Sequence, residues 1–330
     1  MAANYTTIYE FLIVGFNDLQ QFRIPVFLLV LLFYLATITG NLLIIVFVLT
    51  GQRFQSPMFF FLGHLSLCDI LISTNVSPNA LKVIIMRRSP IFIDSCLIQL
   101  YFVGASAITE CSLLTVMSFD RYLAICSPLR YTSIMNRKLC CYLALWPWMA
   151  GFLLSMLSNI LLYDLVFCGP NIINHFFCDL APVLQLSCSD TTAVQIHVST
   201  VVIAVGLLQF FFVFATYISI FISIFKLSST SGRQKAFSTC SSHLMVVSIY
   251  YGTLIILYLA PARGYSLDLN KVLSLLNTVV TPLLNPIIYS FRNKEIRLAA
   301  VKFMLETYWP LLPGLNDRSI FGRGKYNLRI

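Results

Sequence analysis

Residues Pro25–Leu49 read PVFLLVLLFYLATITGNLLIIVFVL, 25 positions without one charged side chain. The hydrocarbon core of a bilayer is about 30 Å thick, and about 20 apolar residues in a helix cross it. Working outward from this stretch, six further runs of the same kind follow, so spans are expected at 24–50, 57–81, 93–124, 138–163, 194–226, 236–260 and 270–291. The runs are far longer than the ~10 residues of a barrel strand and do not alternate, so they read as helices. Composition agrees: 58% of the 330 residues are apolar and 11% charged, against about 45–50% and about 25% in soluble domains. A water-soluble enzyme is excluded, and so is a disordered chain, which needs low hydrophobicity. With no internal repeat and no linker, the expected fold is an all-α membrane protein, a seven-transmembrane helix bundle.

Charge orients the bundle. The first twenty residues carry Glu10 and Asp18, no basic segment and no apolar core, so no cleavable signal is expected and the first helix inserts itself. With the N-terminus outside, sixteen of the 22 basic residues lie on the cytoplasmic side and six outside, the positive-inside pattern. The net charge of +9 is therefore a topology signal, and a nucleic-acid partner is not needed to explain it. The chain divides into an extracellular N-terminus at 1–23, the bundle at 24–291, a short eighth helix at 292–305 and a cytoplasmic tail at 306–330. Asn4-Tyr5-Thr6 is an outward-facing glycosylation sequon. Arg292, Lys294, Arg297 and Lys302 set against Ile296, Ala299, Ala300 and Phe303 predict a basic amphipathic helix on the inner leaflet.

Ten cysteines split by this topology. Cys96, Cys168, Cys178 and Cys188 fall outside, where disulfides persist. Four cysteines allow three pairings, which spacing leaves open. A link from Cys96 into the 164–193 loop would pin it across the bundle mouth. No outer Cys-x-x-Cys occurs, so no metal site is expected there.

Ionisable residues inside a membrane are costly and mark function by default. At a helical rise of ~1.5 Å per residue, Glu110 sits about 16 Å above Arg121, and Asp69 about 18 Å from Pro57. Both acids thus lie near mid-membrane on different helices. Such a pair can share a proton, hold a cation or relay protons, or one acid can sit neutral and hydrogen-bonded in the packing; the residues leave these open. In the last span Pro286 removes a backbone donor and predicts a kink, with Asn285 expected to satisfy the freed polar groups.

Several stretches resemble rhodopsin-like G-protein-coupled receptors: Gly40-Asn41, Leu65–Asp69, Asp120-Arg121-Tyr122 and Asn285-Pro286-Ile-Ile-Tyr289. More narrowly, PMFFFLGHLSLCDI (57–70), MSFDRYLAICSPLRY (117–131), KAFSTCSSHLMVV (235–247) and PLLNPIIYSFRN (282–293) resemble the signature stretches of olfactory receptors of the tetrapod type. The resemblance covers about residues 5–305. Phe119, Ser127 and Thr216 depart from the usual residues at their positions, and the 306–330 tail does not resemble the family's short end.

The resemblance implies a plasma-membrane receptor, not an enzyme, that binds an odorant and activates a stimulatory heterotrimeric G protein on its cytoplasmic face. Other readings are a non-olfactory chemosensor of the same class and, further off, a proton- or ion-coupled transporter. By family position the ligand set is Val103, Gly104, Ala107 and Ile108 on span three, Val201 and Val205 on span five, Leu254, Ile255 and Tyr258 on span six, and Thr278 on span seven. None is charged, so the expected ligand is small, apolar and uncharged, with Tyr251, Tyr258 or Thr278 as hydrogen-bond partners. Asp120 would hold Arg121 at rest and release it to the G protein, with Tyr122, Tyr217, Asn285, Pro286 and Tyr289 completing the coupling set. His243 is a further titratable contact at the inner end of span six. Asp69 and Glu110 form a candidate sodium site; no other cofactor is expected. The implied disulfides are Cys96–Cys178 with Cys168–Cys188, Cys96–Cys188 being the alternative.

Overall fold

The computed structural model describes residues 8–15, 21–51, 56–168, 170–259 and 267–292, with the side chains of 235, 239, 257–259, 267–268 and 290–292 left out. Asn4, the 292–305 helix beyond its first residue and the 306–330 tail therefore lie outside the described residues. Seven helical stretches are long and apolar enough to cross a membrane. Spans one to four are α1 (Arg23–Thr50), α2 (Pro57–Met86), α3 (Ile93–Cys126) and α5 (Arg137–Tyr163). Span five joins α7 (Thr192–Val201) through a π-helical turn at Val202–Leu207 to α8 (Leu208–Lys226). Span six is α9 (Thr230–Leu259), and span seven joins α10 (Leu267–Leu275) through a second π turn at Leu276–Val280 to α11 (Thr281–Arg292). Short helices α4 (Pro128–Ile134) and α6 (Leu180–Leu184) lie in the connections.

The spans follow the expected order, with differences at their ends. Span two runs five residues past 81, to an Arg87 cap at φ 65°, because Lys82 ends the apolar run but not the helix. Span six begins at Thr230 rather than 236: the Ser/Thr/Arg-rich stretch before it is polar yet helical. Pro57 and Pro128 open their helices where the missing donor costs nothing, and the Asn136 side chain caps α5 by accepting from Leu139 N at 3.0 Å.

Spans two, three and seven form the centre, with 50–56% of their most apolar windows buried, against 6% for span five. The main apolar core, including Phe61, Leu65, Leu113, Leu114 and Met117, fills the half of the bundle nearer Arg121. At the opposite end is a sheet that the hydropathy reading did not anticipate. Strand β1 (Glu10–Ile13) pairs antiparallel with β2 (Ser89–Phe92) and parallel with β3 (Ile172–Ile173). Its alternate residues Phe11 and Ile13 are buried. Two disulfides, Cys96–Cys178 and Cys168–Cys188, tie the loop before span five to the top of α3 and to itself.

Candidate functional site

Three polar groupings run down the axis of the bundle. Midway, Asp69 is fully buried, and Asn285 donates its amide to both carboxylate oxygens at 3.0 Å. Glu110 is within electrostatic range of Asp69, and its Oε1 is buried without a hydrogen-bond partner among the described residues, as are Asn285 Oδ1 and the hydroxyls of Ser66 and Ser73. The two acids on different helices thus share one region, with unused oxygen acceptors around them.

The expected role of Asn285 needs correction. Pro286 cannot donate to the carbonyl of Pro282, and it is Asn41, from span one, that fills this gap with Nδ2 at 3.1 Å. Asn285 is spent on Asp69. Gly40 permits the approach: a Cβ there would stand 3.1 Å from the Pro286 ring. The pair Gly40-Asn41 and the pair Asn285-Pro286 therefore work as one joint between spans one, two and seven.

Near the Asp-Arg end, Arg121 donates to Asp120 Oδ2 from Nε at 3.0 Å and again from Nη2. The other carboxylate oxygen accepts from Tyr131 OH at 2.7 Å. Tyr131, on α4 outside the spans, closes the 117–131 signature stretch, and the sequence alone assigns it no role. Burial and the neighbouring Asp120 raise its phenol above the ordinary value, so it stays a donor. Tyr122, assigned to this group, makes no bond to it and instead stacks on Phe119. Tyr217 and His243 form a second link: Tyr217 OH lies 2.6 Å from His243 Nδ1, and His243 Nε2 lies 3.1 Å from Leu114 O. His243 is fully buried among spans three, five and six rather than at the interface. Tyr289 is buried, and its hydroxyl has no partner among the described residues.

The family-position ligand set divides. Val103 packs with Val76, Ala80, Phe176 and Phe177, where the disulfide-bonded loop meets spans two and three. Gly104 faces the other way, since a Cβ there would lie 2.9 Å from Ser155 Oγ of α5. Its small size serves the contact of spans three and four rather than cavity room, which corrects its place in the ligand set. Ala107 is partly buried, and its carbonyl accepts from Tyr250 OH at 2.8 Å. Ile108 and Val201 are partly buried. Val205 sits in the π turn, with its carbonyl 3.5 Å from Cys111 Sγ. Leu254 packs on the main core, and Ile255 is 39% exposed. Thr278 is buried, with its hydroxyl donating to Ser274 O at 2.8 Å. Tyr251 OH is engaged by Cys111 Sγ at 3.2 Å and Thr115 at 3.4 Å. Both hydroxyls already carry intramolecular bonds, and each keeps acceptor capacity for a donor on a ligand. The side chain of Tyr258 lies outside the described residues.

One network escaped the sequence reading altogether: Thr115 donates to Gln209 Oε1 at 3.1 Å, and Gln209 Nε2 donates to Ser112 at 3.1 Å. It ties spans three and five beneath the ligand set. Among the described residues no group of three or more His, Cys, Asp or Glu side chains is arranged to hold a metal ion.

Comparison with known proteins decides the class. A family profile described as olfactory receptor matches residues 30–307. The chain belongs to the olfactory receptor family. It is similar to Olfactory receptor 5G26 of Mus musculus, 45% identical over 92% of this chain and 95% of that protein. It is also similar to Olfactory receptor 11L1 of Homo sapiens (44% over 91% and 94%) and Olfactory receptor 6X1 of Homo sapiens (44% over 91% and 96%). This olfactory receptor is thus a multi-pass membrane protein of the seven-helix class, and its polar axis is to be read as a receptor's.

Proposed function

We propose that this receptor binds a small, mostly apolar and uncharged odorant in the outer half of the bundle and activates a stimulatory heterotrimeric G protein at the Asp120-Arg121 end. The N-terminus is then extracellular, the tail cytoplasmic, and Asn4 available for glycosylation. The observation that carries the reading is the held state of Arg121, bonded to Asp120 while Asp120 is in turn bonded to Tyr131. A partly buried cation restrained by a neighbouring carboxylate is a two-state element, and a ligand acts on it by binding one state better than the other. Taking 1:99 to 99:1 needs about 5.5 kcal/mol of differential affinity, more than a small apolar ligand readily supplies, so the G protein shares the work.

Within the ligand set, Val103, Ala107, Ile108, Val201, Val205, Leu254, Ile255, Tyr258 and Thr278 remain the residues proposed to line the chamber. A small hard cation such as sodium fits beside Asp69 and Glu110. Ser66 and Ser73 lie three residues before and four after Asp69 on α2, hence on its face, and together with Glu110 Oε1 they offer unpartnered oxygens.

The test is cyclic-AMP production in cells expressing the receptor at the surface, across a panel of uncharged aliphatic alcohols, aldehydes and esters. Arg121→Ala is expected to abolish every odorant-evoked response at unchanged surface density. Normal signalling by that variant would sink the coupling mechanism, and a response restricted to acids or amines would sink the ligand class.

A further inference from the structure

Lys271 belongs to span seven, yet it is 4% exposed. Its ammonium donates to Gly15 O at 3.1 Å and to Asn174 Oδ1 at 2.8 Å. The first acceptor belongs to the N-terminal segment and the second to the disulfide-bonded loop, so one side chain joins three parts of the chain. We infer that Lys271 is a positioning residue that bolts the roof of the ligand chamber to span seven, and that residues 10–15 are a working part of that roof. The inference rests on the reading of the chamber given above.

The roof is built for such a bolt. β1 and its continuation run along the loop through Leu12 N to Asn171 O at 2.7 Å, Val14 N to Ile173 O at 3.1 Å and Gly15 N to His175 O at 3.0 Å. Gly15 ends the run at φ +57°, with Val83 of span two so close that a Cβ would stand 2.4 Å from it. Only glycine fits both the conformation and the space, and its carbonyl accepts from Lys271. Immediately after Asn174, the loop carries Phe176 and Phe177 inward onto Val103 and Val76. The side chain that fixes Asn174 thereby fixes the aromatic pair that covers the chamber. A charge-assisted bond is the strong kind, and two of them, one on the buried Gly15 carbonyl and one on the amide oxygen of the solvent-exposed Asn174, make movement of span seven and movement of the roof a single event.

The experiment uses the full-length receptor in lipid nanodiscs, with hydrogen exchange followed over 10–15 and 172–177. Lys271→Met should speed exchange in both segments by about tenfold or more, the consequence of losing bonds from a charged donor, and Lys271→Arg should restore most of the protection. Asn174→Ala, a milder change, should loosen the loop more than the N-terminal segment. Unchanged exchange in both variants would overturn the bolt. A separate arm measures responses of the same variants to the alcohol, aldehyde and ester panel. Raised exchange with unaltered potencies would leave the bolt standing and overturn the chamber reading beneath it, whereas altered potencies that Lys271→Arg reverses would support both.

Discussion

Replacing Tyr131 by Phe removes one oxygen and tests the restraint on Arg121 directly. In the held state Asp120 is fully buried, with one oxygen on Arg121 and the other on Tyr131 at 2.7 Å. A hydrogen bond to a charged group is worth about 1.5–3 kcal/mol. Tyr131 is only partly buried, so water replaces some of what is lost and the lower figure applies. The bond stabilises the resting arrangement, in which Asp120 holds Arg121, and its loss lifts that arrangement by about 1.5 kcal/mol relative to the active one. Since about 1.4 kcal/mol is a factor of ten, a basal active population near 1% would rise to near 10%. Ligand-free cyclic AMP should therefore increase several-fold to about tenfold, and odorant potency should increase with it because less work remains for the ligand. Maximal response should not change, since Arg121 itself is intact. The assay is basal and odorant-evoked cyclic AMP normalised to surface density. A basal level equal to or below that of the parent at matched density would refute the claim that Tyr131 restrains the resting state.

Four further outcomes follow from packing and charge. Gly151→Ala places a methyl 2.3 Å from Thr109 Oγ1 and 2.5 Å from the Ala105 carbonyl, so spans three and four must separate; a loss of about 1–3 kcal/mol should appear as a lower midpoint of thermal unfolding in detergent, and an unchanged midpoint would contradict the close approach. Gly104→Ala meets only the Ser155 side chain, which can rotate, so its midpoint should fall less. Asn41→Leu leaves the Pro282 carbonyl without its donor, at a cost of about 1–3 kcal/mol, measurable as faster inactivation on heating; wild-type kinetics would mean that another group reaches that carbonyl. His175 in the roof is held neutral by burial and by Lys271, its pKa lowered to about 3. An unfolded His takes a proton near its ordinary pKa of about 6.5, so between those values the unfolded state binds more protons and stability rises with pH. Acidification from about pH 7 to about pH 4 should thus loosen the roof, seen as faster exchange over 172–177, and His175→Phe should flatten that dependence.

What could be read from the sequence and what could not divide along one physical line. The seven spans were legible because lipid forces each backbone group to bond within its own segment, so a long apolar run carries its own structure. Their ends were less so: Lys82 and the polar stretch at Thr230–Lys235 stop the hydropathy signal while the backbone bonds continue. The π turns of spans five and seven leave no mark in composition, since Val202–Leu207 is as apolar as its flanks. Strand β1 did carry a signal, the alternation of Phe11 and Ile13 ahead of Gly15, but four residues are too few to be heard beside 25-residue runs. Pairing across helices was the hidden part. That Pro286 frees a carbonyl is a local fact; that Asn41 rather than Asn285 answers it depends on how spans one and seven are rotated against each other. The small residues of span three show the same limit. Gly104 and Ala107 are both compatible with cavity or contact, and only the neighbour opposite decides. For Gly104 that neighbour is Ser155, 2.9 Å from where a Cβ would be, which places the glycine in the seam between spans three and four. The polar axis of Asp69, Glu110 and Arg121 could be found by depth along each helix, a one-dimensional measure, whereas the walls of the chamber need the rotation of each helix about its own axis.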